Sequence, residues 1–116
     1  LHVTFIDVGQ GDAALLQFPG GQTMLIDAGG APGASGFDVG DRVVGPVLRS
    51  LGVRRLDTLL VTHGDADHAA GARAVIRDFR PREVWEGIPV PPSPLLTAIR
   101  ADARRTGARW TRVQAG

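Results

Sequence analysis

Hydrophobic and polar positions change period several times along the chain, and each change marks an element. Residues 2–8 (His2-Val3-Thr4-Phe5-Ile6-Asp7-Val8) are rich in β-branched and aromatic side chains and run into Gly9-Gln10-Gly11-Asp12. The two glycines permit backbone angles that other residues resist, so a strand and a tight turn are expected. Residues 13–18 form a second strand, Pro19-Gly20-Gly21 a turn, and residues 22–27 a third strand ending at Ala28-Gly29-Gly30. The chain therefore opens as an antiparallel meander. Gly, Ala, Pro and Ser dominate residues 31–40, which carry no periodicity and read as a loop.

From Asp41 the period becomes helical: Val43, Val44, Val47, Leu48 and Leu51 share a face, Pro46 falls in the first turn, and Gly52 stops the helix. Residues 56–62 are a short apolar run of strand length. Residues 69–79 predict a helix burying Ala72, Val75, Ile76 and Phe79, followed by a strand over Glu83-Val84-Trp85-Glu86. After a proline-rich connector, Ser93 is a candidate N-cap with Pro94 at the first helical position. Leu95, Leu96, Ile99 and Ala103 share the buried face of that helix, Gly107 ends it, and residues 109–113 form a last strand. Trp85 and Trp110 are expected at the core or its edge, and His2 at a sheet edge.

With 116 residues, 43% of them hydrophobic, the chain can bury one small core, and residues 1–116 are read as a single partial domain of a longer protein. No run approaches the roughly 20 apolar residues that span a bilayer. The absence of cysteine excludes disulfides, thiolate ligands and a cysteine nucleophile, leaving His and carboxylate to hold any metal. The net charge of +1 conceals an asymmetry: residues 1–72 carry four Arg against eight Asp, and residues 73–116 nine Arg against four acids. An acidic half suited to cations thus adjoins a basic half suited to anions.

One segment concentrates chemistry. In His63-Gly64-Asp65-Ala66-Asp67-His68, four potential ligands stand within six residues, directly after a strand. In a turn, His63 and Asp65 can serve one metal while Asp67 and His68 swing onto a neighbouring one. The plainer alternative, an Asp that merely caps the next helix, accounts for one residue but not the cluster.

The run resembles the signature of the metallo-β-lactamase superfamily, H-x-H-x-D-H after a strand, and Asp27-Ala28-Gly29 matches the Asp-x-Gly that closes the family's preceding strand. Asp7-Val8-Gly9-Gln10-Gly11-Asp12, together with Asp65 in place of the second histidine, is more similar still to the hydrolase-like domain of the ComEC family of DNA-uptake proteins. The resemblance implies an α/β fold, the N-terminal half of a metallo-β-lactamase-like αββα sandwich with a mixed sheet. It implies that His63, Asp67 and His68 are metal ligands, that Asp65 occupies an altered ligand position, and that Asp27 is the supporting carboxylate. Asp67 and Asp27 are thus the catalytic candidates, with Asp7 and Asp12 in a supporting turn. A carboxylate at Asp65 hardens the ligand set and favours manganese or magnesium over zinc.

In the family two divalent ions, completed by a later His, a bridging Asp and a final His, activate water for hydrolysis. No histidine follows His68 here, so the piece alone is expected to be inactive. The expected function is metal-dependent phosphodiester hydrolysis, nuclease-like and linked to DNA uptake. The competing readings are a catalytically silent binding or scaffolding domain and, less favoured, a lactone, β-lactam or thioester hydrolase. DNA, the membrane channel domain of the parent protein and a second copy of the chain are the implied partners, at the extracytoplasmic face of the inner membrane. Arg100 and Arg104, one helical turn apart, are candidate nucleic-acid contacts, against a plain solvated helix face.

Overall fold

The computed structural model describes residues 1–7, 13–29, 43–62, 71–87 and 94–113. The strands are β1 (His2–Phe5), β2 (Ala14–Gln17), β3 (Thr23–Ile26), β4 (Thr58–Val61), β5 (Glu83–Glu86) and β6 (Arg109–Arg112), and the helices α1 (Gly45–Ser50), α2 (Ala72–Phe79) and α3 (Pro94–Thr106). The six strands form one sheet in sequence order. β1, β2 and β3 are antiparallel, as the expected meander requires. The turn between β2 and β3 places Pro19 second, bonds the Gly21 N–H to the Phe18 carbonyl at 2.9 Å, and puts Gly21 at φ 89°. A left-handed residue after such a turn matches the twist of the paired strands. From β3 onward the pairing is parallel. Each of these later connections contains a helix, because parallel neighbours need a crossover.

Register builds the core. Leu15, Leu25, Leu59 and Val84 lie side by side across four strands, and each is fully buried. They pack in one cluster with Val44, Leu48, Val75, Ile76, Phe79, Ile99 and Ala103. Burial of each such side chain contributes about 1.5–3 kcal/mol. The buried face of α2 is the one its spacing predicts, and α3 buries Leu96, Ile99 and Ala103 before Gly107 ends it at φ 84°. α1 lies within the helix expected from Asp41, whose first two residues fall outside the described ones, and has Pro46 in its first turn.

Strand alternation sends a second apolar set to the opposite face. Val3 and Phe5 are exposed, Phe5 by 84%, while Leu16, Met24, Ile26, Leu60 and Trp85 are half-buried. Helices cover one face of the sheet and none of the described residues covers the other, which is the half-sandwich that the sequence implies. Among the described residues, no helix is long and apolar enough to cross a membrane.

Candidate functional site

Because β1 and β3 are both antiparallel to β2, and β4 to β6 run parallel to β3, five strands point the same way. Their C-terminal ends share one edge. Asp7 follows β1, Asp27 follows β3, Thr62 follows β4, and Glu86 ends β5. In α/β sheets this edge is where ligands bind, since the loops that leave it converge there.

Asp27 is 3% exposed and takes the left-handed conformation at φ 58°, which Asp tolerates better than most side chains. Its N–H continues the β3 ladder to the Leu60 carbonyl at 2.8 Å. Its carboxylate grips Thr62: Oδ1 accepts the backbone N–H at 2.8 Å and Oδ2 accepts the hydroxyl. Two residues on, the buried Gly29 at φ 69° accepts the Gly71 N–H at 2.9 Å. The 27–29 segment therefore holds Thr62, the residue before His63, and also Gly71, which follows the motif. Both flanks of the histidine run are held by one short segment, through the Asp27 carboxylate and the Gly29 carbonyl.

His63, Asp65, Asp67 and His68 lie outside the described residues, as do Asp12 and the candidate cap Ser93. Among the described residues no group of three or more His, Cys, Asp or Glu is placed to hold a metal. Asp7 is described and exposed at the shared edge. Thr62, the direct partner of Asp27, escaped sequence reasoning, since nothing in the chain pairs residues 35 apart.

Glu86 also escaped it, although a signal was present: it shares the strand phase of the buried Val84. Glu86 is 3% exposed, and its Oε2 accepts from Arg100 at 2.9 Å, Trp110 Nε1 at 3.2 Å and Arg112 Nε at 3.1 Å. Burial pushes its carboxyl pKa up, but hydrogen bonds from Arg100 and Trp110 and the charges of Arg100 and Arg112 outweigh it, leaving the pKa lowered. The Arg100 guanidinium also lies 5.3 Å from the Trp110 ring centroid. Arg100 thus joins α3 to β5 and β6, while Arg104 is exposed and lines, with Arg100, Trp110 and Arg112, a cavity of about 450 Å³. One face of the Trp110 ring is taken by Arg100.

The comparisons with known proteins agree with this fold. Residues 6–107 match the metallo-beta-lactamase superfamily. The chain is 33% identical over 89 residues to ComE operon protein 3 of Bacillus subtilis (strain 168), covering 68% of this chain and 12% of that protein. It is 38% identical over 73 residues to competence protein ComA of Neisseria gonorrhoeae, covering 63% of this chain and 10% of that protein. The chain therefore spans about a tenth of the length of these relatives. On a match that covers most of its length, and with the mixed sheet that the match implies, the chain belongs to the metallo-β-lactamase superfamily.

Proposed function

We propose that the chain is the N-terminal part of a metal-dependent phosphodiesterase domain acting on DNA, borne on the outer face of a membrane protein that takes up DNA. The observation that carries this reading is the fixing of both flanks of the 63–68 run by Asp27 and Gly29. A surface loop that merely capped a helix would have no use for a buried carboxylate at its entry. The relatives named for competence support the biological setting.

His63, Asp65, Asp67 and His68 would hold divalent ions, with two carboxylates favouring manganese or magnesium. Bound ions of this kind supply an activated water and neutralise charge on the phosphate. Asp27 contributes by holding Thr62, the residue that leads into the proposed ligand run.

The test is cleavage of linear single- and double-stranded DNA by the full-length protein with manganese, magnesium or zinc, set beside His63→Ala and Asp67→Ala. The parent should cleave, and each variant should lose roughly 100-fold or more. Equal cleavage by all three would remove these residues from the site. A parent that binds metal without cleaving would favour a silent binding domain.

A further inference from the structure

Away from the motif edge, α2 and α3 pack side by side and leave between them a cavity of about 620 Å³, lined among others by Arg73, Arg77, Arg80, Asp102, Arg105 and Thr106. Its four guanidiniums face Asp102 inside the groove and Asp78, which pairs with Arg77 at 2.9 Å, at its margin, so the groove keeps a cationic excess. Asp102 organises it: its side chain is 12% exposed and takes Arg73 Nε at 2.6 Å and Arg105 at 2.9 Å. One largely shielded acid thus holds an arginine from each helix wall, and both guanidiniums remain half-exposed or more.

Arg80 adds an independent observation. It closes α2 in the left-handed conformation, φ 42° and ψ 62°, a position that glycine occupies at no steric cost. Its backbone does work there that any residue could do, donating to the Ile76 carbonyl and accepting Arg55 Nε at 3.0 Å. What glycine could not supply is the exposed guanidinium that lines the groove. A strained backbone position held by arginine points to use of that side chain.

Arg73 and Arg77 lie one turn apart on the exposed face of α2, and Arg80, at its C-cap, lines the same groove. They span about 10 Å at about 1.5 Å per residue, long enough to meet more than one phosphate of a single strand. The row begins beside Gly71, the residue bonded to Gly29 at the motif edge. Negative charge delivered along it arrives at the candidate site.

We propose that the α2–α3 groove binds the phosphate backbone of single-stranded DNA and leads it toward the motif edge. This rests on the phosphodiesterase reading for its choice of polyanion. Arg80 and Arg105 make the contacts, and Asp102 sets the direction of Arg105.

The experiment is binding of a labelled single-stranded oligonucleotide to the full-length protein in chelator, where no metal-dependent cleavage occurs, across a salt series. Arg80→Gly should melt at or above the parent temperature, yet bind roughly 5- to 10-fold more weakly, as should Arg105→Ala. Each should lower the salt slope by about 0.7. Arg54→Ala removes an equal charge from the separate cavity beside α1 and should change affinity less than about two-fold. Arg80→Gly and Arg105→Ala variants that bind like the parent, or no worse than Arg54→Ala, overturn the groove while leaving the phosphodiesterase reading intact. Inorganic tripolyphosphate bound as tightly as the oligonucleotide overturns the DNA assignment of the groove. A parent that binds no oligonucleotide but still cleaves a small phosphodiester with metal overturns the groove alone, whereas failure of both binding and cleavage overturns the two together.

Discussion

Asp27 and Glu86 are two carboxylates on the same sheet edge, each 3% exposed and each at the end of a parallel strand, yet they are put to different work. Glu86 gathers Arg100 from α3 and Trp110 and Arg112 from β6, so it ties the last helix and strand to β5. Asp27 reaches in the other direction and takes the N–H and hydroxyl of Thr62, the residue that leads into the histidine run. Burial at a strand's C-terminal end is therefore no guide to role by itself. The partners decide: Glu86 fastens the scaffold, and Asp27 fastens the entry to the site.

That contrast can be broken most forcefully at Glu86. Glu86→Ala leaves Arg100 beside the Trp110 ring without its carboxylate, and should cost about 2–3 kcal/mol in chemical denaturation. The figure sits below that of a fully buried pair because the Arg100 and Arg112 side chains are 39% and 59% exposed. Metal affinity of the folded fraction should stay within about two-fold of the parent, since the Glu86 partners lie in α3 and β6. A large loss of affinity with little loss of stability would erase the distinction.

Acid sharpens the same comparison by a smaller amount. The Glu86 pKa is lowered from its ordinary 4.5 in the fold. A depressed carboxyl contributes stability above its unfolded pKa, and that contribution is lost as pH falls through the lower, folded value. Melting temperatures taken between about pH 3 and pH 6 should therefore fall toward the acid end. In Glu86→Gln that limb should be shallower, and parallel limbs would assign the acid sensitivity elsewhere.

Much of the fold was legible because its signals are local. Short runs of strand length at β1 to β6, the helical spacing of Val75, Ile76 and Phe79, and turn or stop glycines at Gly21, Gly52 and Gly107 are all short-range features. Asp27 could be singled out by the Asp-Ala-Gly pattern, but its partner could not. Thr62 lies 35 residues away, and only the parallel register of β3 on β4 brings the two together. Arg100 was a candidate nucleic-acid contact one turn from Arg104, with a solvated helix face as the alternative, yet it is drawn inward by Glu86 and Trp110, which belong to other strands. Helical spacing locates a face; it does not say which neighbour that face meets. The open face carrying Phe5 follows the same logic, as alternation predicts two apolar faces while helices cover one.

The central claim is that Asp27 positions the 63–68 run, the proposed metal site, and Glu86 does not. It is tested most directly by manganese titration of the full-length protein, comparing Asp27→Asn with Glu86→Gln under conditions where both variants remain folded. Asp27→Asn keeps one acceptor for the Thr62 N–H but has no second oxygen to accept the Thr62 hydroxyl, and should weaken metal binding roughly 10- to 100-fold, the range seen when an outer support of a metal site is removed. Glu86→Gln should bind manganese as the parent does. Equal affinities in the two variants, or a greater loss from Glu86→Gln, would contradict the account.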